Sequence, residues 1–443
     1  MTRLARLAKG ALVRDSALNV AGHVLPLLAA VFTFPHLIEL LGTDRFGALS
    51  LAWTLTGYAN VFDFGLGRAL TLMASRHLGR GERDEVGRTT WTALSMSLAF
   101  GLLATLAMHL AAAPVVDGVL GLEGEVREET LGSLRLIAYF LPVVILVTGV
   151  RGLLEAYRLF GVSNLIRTPM GALNYVAPLL IALRTARLET VVLAVVLVRC
   201  LEVALYLIAA LRLIPDVTLR ARVSWRRFRE LVSIGGWMTV SNVIAPIMLN
   251  FDRFFIASMT SLTQVTYYVT PHTLVTRLRV IPTAIMGVLF PSFSRFDDAD
   301  LDAARRLYLS SLRALGLLMA PVALLIVVFA KPGLTLWVGP EISERSAQVA
   351  QYLGLGVLVH SLGQTPFTLL QARGRAATTA LVHVLEVPLY VGYLYLLIKA
   401  MGIEGAGLAW LIRVTLSTLV LLLLAERLFA RPHDTAAVPA PDR

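Results

Sequence analysis

A single cysteine, Cys200, stands among 443 residues, inside an apolar run, so no intrachain disulfide and no thiolate metal cluster can form. It is read as a packing residue. Lysine is nearly missing: Lys9, Lys331 and Lys399 are the only three, and the net charge of +11 comes almost wholly from arginine. Charged residues make up 16% of the chain against 57% hydrophobic ones, and the mean hydropathy of +0.73 excludes an ordinary water-soluble globule. The ten-residue alternation of outer-membrane strands is lacking, which leaves helices as the spanning elements. No G-x-x-x-x-G-K-[ST], H-E-x-x-H or G-x-S-x-G is present, so nucleotide hydrolysis, metallo-hydrolysis and serine hydrolysis have no visible home. The GLG at 65–67 lacks a third glycine and a preceding strand. No soluble segment exists to hold a cofactor, and none is expected; neither are a metal site, an enzymatic activity or a nucleic-acid partner.

What is present is a series of long apolar runs. They predict an all-α membrane protein with about twelve spans, near 17–41, 46–77, 90–114, 132–154, 168–184, 188–213, 231–258, 265–293, 307–330, 346–370, 377–399 and 404–428. Only Arg184 to Arg187 separate the fifth span from the sixth, where a tight turn must serve as the loop. Every second connection is basic: Arg76, Arg80, Arg83 and Arg88 after span two, Arg158 and Arg167 after span four, and five arginines between 220 and 229 after span six. The connection after span three is acidic. Both termini are therefore expected in the cytoplasm, and anionic membrane lipids as neighbours of the basic loops. The basic N-terminus, residues 1–16, reads as an uncleaved interfacial helix. The Pro/Ala-rich tail, 430–443, reads as disordered. The polar segment 215–229 divides the remainder into halves of six spans, 17–214 and 230–429, with weak self-similarity between them.

Ionisable groups inside such runs usually mark function. Asp252 and Arg253 lie within the seventh span, on whose polar flank Asn242, Asn250 and Arg253 recur. The eighth carries His272, Arg277 and Arg279 between Pro271 and Pro282, and the two missing backbone donors predict a bend. In the second, Thr56, Asn60, Asp63 and Gly67 share a face, and FDFGLGRAL predicts a broken helix; Asp63 with Arg68 is either a structural ion pair or a cavity-facing hinge. Arg151 and Glu155 are one turn apart and read equally as a solvated pair or a cavity pair. Arg199, Glu202 and Arg413 lie too deep for a purely solvated role. His109 and His360 read as packing residues; His383 differs because Glu386 follows at i+3 and Pro388 bends the same helix.

FDFGLGRAL at 62–70, RGLLEAYRLFGVSNLIR at 151–167, and the stretch 235–295 with its DRF, YYVTP and FPSFSR resemble the bacterial polysaccharide flippases, the O-antigen translocase group of the multidrug/oligosaccharidyl-lipid/polysaccharide exporter superfamily. The similarity covers about residues 15 to 430. It implies twelve helices in two six-helix bundles around a central cavity open to one side at a time. It also implies movement of an undecaprenyl-diphosphate-linked oligosaccharide from the inner to the outer leaflet of the bacterial cytoplasmic membrane.

The residues support that substrate class independently, because an anionic headgroup crossing hydrocarbon needs sheltered permanent cations. Arginine binds phosphate oxygens in pairs and stays charged when desolvated. Arg68, Arg253, Arg277 and Arg279 are the expected anion ligands, with Asn242, Asn250 and Tyr268 beside them; Tyr58 and Tyr267 are further sugar-facing candidates. Asp63, Glu386 and His383 are the candidates for ion-gradient coupling, and a downstream polysaccharide polymerase is a possible partner. A cation-coupled multidrug exporter of the same superfamily is the alternative, but its cavity should be lined by acids. A membrane glycosyltransferase or ligase would need a large extracytoplasmic loop, and none is visible. Cysteine labelling from each side should place 215–229 and both termini in the cytoplasm and 115–131 and 331–345 outside; an outward-facing 215–229 would break both the basic-loop argument and the division into two bundles.

Overall fold

The computed structural model describes residues 3–57, 63, 65–214, 223–232, 251–293 and 301–429. Among these the chain is all-helical, with no strand. The helices are α1 (Arg3–Gly57), α2 (Leu66–Gly79), α3 (Arg83–Pro114, running into a wide turn at Val115–Val119), α4 (Gly124–Ala156), α5 (Phe160–Ala182) and α6 (Leu188–Leu213). After a short helical segment at 225–232 come α7 (251–259), α8 (Leu262–Val275), α9 (Val280–Phe293), α10 (Leu301–Val338), α11 (Pro340–Ala372), α12 (Ala376–Met401) and α13 (Ile403–Phe429). Nine helices among the described residues are long and apolar enough to cross a membrane.

The burial pattern is that of a protein dissolved in hydrocarbon. On α3 the leucines at 98, 102, 103, 106 and 110 are exposed, while Ala93, Ser97, Gly101 and Ala104 are buried. Small residues let neighbouring helices approach, and the leucine stripe meets lipid, which is as apolar as it is. In water such a stripe would be an aggregation site. The most internal helix is α4, where Ile137, Leu141, Ile145 and Leu154 are fully enclosed between α2, α3 and α6.

Three expected spans are built differently. The basic N-terminal segment from Arg3 and the first expected span lie in one helix that runs to the break at Gly42; the segment is rich in Leu, Ala and Arg, all strong helix formers. The break falls at Gly42, whose φ of 77° and ψ of 167° lie where a side chain would be strained. The second expected span, 46–77, is interrupted: α1 ends at Gly57, Asp63 lies in a turn, Gly65 is left-handed (φ 71°), and α2 has 14 residues, about 21 Å, too short to cross a core of roughly 30 Å. The expected bend in the eighth span takes the form of a 3₁₀ turn at Thr276–Arg279 between α8 and α9. Pro282 denies the 278 carbonyl its usual donor, and the tighter turn absorbs the mismatch. The seventh span is described only from 251, so Asn242 and Asn250 lie outside the described residues, as do Tyr58, residues 215–222 of the 215–229 linker and the 430–443 tail. The fifth and sixth spans are separate helices joined at 183–187.

The chain forms two compact units, Met1–Leu274 with Leu334–Arg345, and Val275–Gly333 with Ser346–Arg443. These units do not coincide with halves divided at 215–229. The reason lies at one end of the first unit, where connections after spans one, three, five, seven and nine meet. Arg45 donates to Glu129 (2.7 Å) and pairs with Glu125; Leu188 N–H also reaches Glu129; the Thr266 hydroxyl donates to the Thr43 carbonyl (2.6 Å); and Thr263 bonds Asp44. Tyr267 donates to Glu341, and the Trp337 indole donates to the Val31 carbonyl, which draws 334–345 into this unit.

The connections after spans two and six also meet. Arg227 is buried and donates to Glu85 (2.6 Å) and Glu230, and Ser224 N–H donates to the Thr92 hydroxyl (3.0 Å). Burial alone would push the Glu230 carboxyl up, but hydrogen bonds from Arg227 and Arg226 outweigh it and hold the carboxyl below its usual value. A carboxylate with a depressed folded value stabilises docking above its unfolded value and loses that contribution as pH falls through the folded one, so the clasp should withstand mild acid. Arg227→Ala should release 224–230 and accelerate trypsin cleavage among Arg220 to Arg229 by roughly tenfold or more, as loss of charged hydrogen bonds worth ~1.5–3 kcal/mol implies; unchanged cleavage would show that apolar packing of Phe228 alone holds the segment.

Candidate functional site

Asp252 and Arg253 are neighbours on α7, and the structure sends them in different directions. Asp252 is fully buried; one carboxylate oxygen accepts the hydroxyl of Tyr268 on α8, and the other accepts the Arg253 backbone N–H (2.8 Å). This bond fixes α7 against α8 where the chain turns at 260–261. The half-buried Arg253 guanidinium donates to the Thr54 hydroxyl on α1 (2.8 Å) and lies 3.3 Å from His272 Nδ1. His272 follows Tyr268 by one helical turn, with ring centroids 5.3 Å apart. Thr54 in turn donates to the Ser50 carbonyl (2.8 Å), which leaves its lone pairs toward the arginine. A permanent cation on α7 is thus held by groups of two other helices, α1 and α8, and its Nε has no protein partner among the described residues. Such a cation can accept an anion without first breaking a salt bridge.

Arg277 and Arg279 stand in the 3₁₀ turn and belong to the second unit. There Arg279 acts electrostatically on His360 together with Arg413 and His383, and His360 hydrogen-bonds Gln364 (3.1 Å). The nearly buried Glu386 carboxylate accepts from Arg413 Nε (3.0 Å) and lies 3.2 Å from His383 Nδ1, while Arg413 also sits over the Tyr390 ring at 5.2 Å. The expected pair of Glu386 and His383 is therefore a triad with Arg413.

Asp63 is buried in the turn before α2. Its carboxylate accepts the Gly67 N–H (2.8 Å) and the hydroxyl of Ser97 (3.4 Å). The first of these satisfies an amide that the start of a helix leaves open. The Arg68 side chain lies outside the described residues. Arg199 pairs with buried Glu202 (2.9 Å), and Arg151 and Glu155 form a half-exposed pair at 3.5 Å. Among the described residues no group of three His, Cys, Asp or Glu side chains could hold a metal.

One contributor, Thr54, carries no signal of its role in the sequence, while His272 stands out there as an ionisable residue of the eighth span, though nothing in the sequence names its partner. A threonine in an apolar run carries no signal of a partner 199 residues away. His272 was visible as a polar residue in a span, and its i+4 spacing from Tyr268 was the available clue.

Residues 37–347 match the model of a polysaccharide biosynthesis protein family. A Shigella flexneri protein described provisionally as an O-antigen transporter is 28% identical over 94% of this chain and 98% of its own length. EpsK, an uncharacterised membrane protein of Bacillus subtilis (strain 168), is 23% identical over 93% of this chain and 80% of its own. Among solved structures, an inward-facing multidrug resistance transporter of the MATE family and MOP superfamily superposes with a TM-score of 0.74 at 15% identity, covering 93% of this chain and 98% of that one. A MOP-superfamily transporter from Pyrococcus furiosus, described as having a binding pocket of reverse polarity, gives 0.64 at 16% identity, with 95% of each chain covered. The chain belongs to the polysaccharide biosynthesis protein family and is a multi-pass membrane protein with the fold of the MOP-superfamily transporters.

Proposed function

We propose that this chain is a flippase that carries an oligosaccharide linked through a diphosphate to undecaprenol from the inner to the outer leaflet of the bacterial cytoplasmic membrane, by alternating access of twelve helices in two bundles. The observation that carries the reading is Arg253, a permanent cation held within apolar helices by Thr54 and His272. An anionic headgroup supplies the charge that Arg253 does not receive from Thr54 or His272, and its diphosphate oxygens match the guanidinium fork. Arg68, Arg277 and Arg279 take the same role at other stages of passage, with Asn242, Asn250 and Tyr268 facing the sugar. The O-antigen role attached to the Shigella flexneri relative agrees with this substrate class. The alternative, export of organic cations, draws on the drug-transporting structural relatives, but the cations on α7 and in the 3₁₀ turn would repel such a substrate.

Ion coupling fits Asp63 better than Glu386. Glu386 is tied to the permanent charge of Arg413, whereas the neutral donors around Asp63 leave its charge free to change with a bound proton or sodium ion. The termini and the segment 215–229 face the cytoplasm in this reading, and a downstream polymerase removes the product.

Glycan-lipid flux into reconstituted vesicles tests both parts. Arg253→Ala should lower flux roughly ten- to a hundredfold, the equivalent of ~1.5–3 kcal/mol of charged hydrogen bonding, with protein abundance unchanged, and Arg253→Lys should restore only part. Full flux in Arg253→Ala would overturn the anion-ligand role. With an imposed pH or sodium gradient, Asp63→Asn should abolish the acceleration seen in wild type while Glu386→Gln retains it. Wild-type flux indifferent to both gradients would make the protein a passive equilibrator; the reverse order of the two variants would move coupling to the Glu386 triad.

A further inference from the structure

The first unit contains a cavity of about 450 Å³ between α1, α3, the start of α4 and α7. Its walls are apolar: Ala52 and Leu55 of α1, Ala104 and Ala107 of α3, and Phe251 and Phe254 of α7. That volume is roughly three times the ~150 Å³ of an apolar cavity that admits benzene. Two observations indicate an amphiphile and not merely loose packing. Thr130 and Ser133, one turn apart on α4, line the cavity fully buried, and their hydroxyls have no hydrogen-bond partner among the described residues. The cavity also lies beside lipid, because Ala107 on its wall is exposed between Leu103, Leu106 and Leu110 of the lipid-facing stripe.

The same helices carry the polar site. Phe251 and Phe254 flank Asp252 and Arg253, and Leu55 follows Thr54, the arginine's partner on α1. Cavity-lining residues thus alternate along α7 and α1 with the residues of the polar site, which puts the chain-end of a diphosphate held at Arg253 on the same two helices as this cavity. The run of alanines leaves notches suited to a chain with a methyl branch on every isoprene unit, and a straight acyl chain would leave them empty. We propose that this cavity receives the head-proximal isoprene units of a polyprenyl phosphate, with Thr130 and Ser133 donating to the ester oxygen at its polar end. The occupant's identity rests on the flippase reading; the site itself does not.

Photolabelling of the full chain in phosphatidylethanolamine/phosphatidylglycerol nanodiscs tests this. One probe is a polyprenyl phosphate with a diazirine on the isoprene unit next to the phosphate; the other is a phosphatidylglycerol with a diazirine in its acyl chain. The polyprenyl probe should label peptides covering 104–120 and 251–254, excess undecaprenyl phosphate should cut that labelling roughly tenfold, and Ala107→Phe, which fills an exposed position without disturbing the core, should do the same. The phosphatidylglycerol probe should instead mark the exposed leucines of α3. Absence of polyprenyl labelling there, or equal labelling by both probes without competition, overturns the proposal. Loss of flux in Arg253→Ala with an unlabelled cavity removes this inference alone; full flux in Arg253→Ala with a labelled cavity removes the headgroup reading and leaves the chain site standing.

Discussion

Every charge within the spanning helices must be held by the protein, because hydrocarbon offers no solvent to do it. Two solutions occur side by side on α7. Asp252 is held by the Tyr268 hydroxyl and a backbone amide and serves as a structural pin, whereas Arg253 is positioned by a threonine and a histidine, with no ion pair among the described residues. The pin fixes this part of α7 against α8 and so sets where the Arg253 guanidinium stands. The Glu386 triad is a third solution, with the charge compensated on the spot by Arg413.

The same constraint explains why polar contacts gather at the ends of the helices. Five connections meet through Arg45, Glu129, Thr43, Asp44 and Glu341 at one end of the first unit, and two others are tied by Arg227 to Glu85 and Glu230. The connections after spans one, three, five, seven and nine lie together, and those after two and six lie together, in keeping with alternation of spans across a membrane. Between these ends, small residues and leucines do the packing and meet the lipid.

Much of this was legible in the chain. Hydropathy located each of α3 to α6 and α10 to α13, with ends off by up to about eight residues where the helix continues past the apolar run, because a bilayer imposes length and apolarity directly on sequence. FDFGLGRAL predicted the break before α2, and Pro271 with Pro282 predicted the distortion now seen as the 3₁₀ turn, since glycine and proline act through their own backbone. Other features depend on distant partners and could not be read locally. Thr54 looks like any helix threonine until α7 packs against it, Arg413 acquires meaning only from Glu386, and the pull of 334–345 toward the first unit comes from Tyr267 and Trp337.

The central claim is that the polar site on α7 prefers an anion. Equilibrium binding to the purified chain in nanodiscs, comparing a sugar-bearing polyprenyl diphosphate with the same polyprenyl chain ending in a quaternary ammonium group, tests that most directly. The account predicts that the diphosphate binds at least about tenfold more tightly, a difference of roughly 1.4 kcal/mol, and that the preference shrinks as salt rises. Equal affinity, or tighter binding of the ammonium lipid, would contradict it.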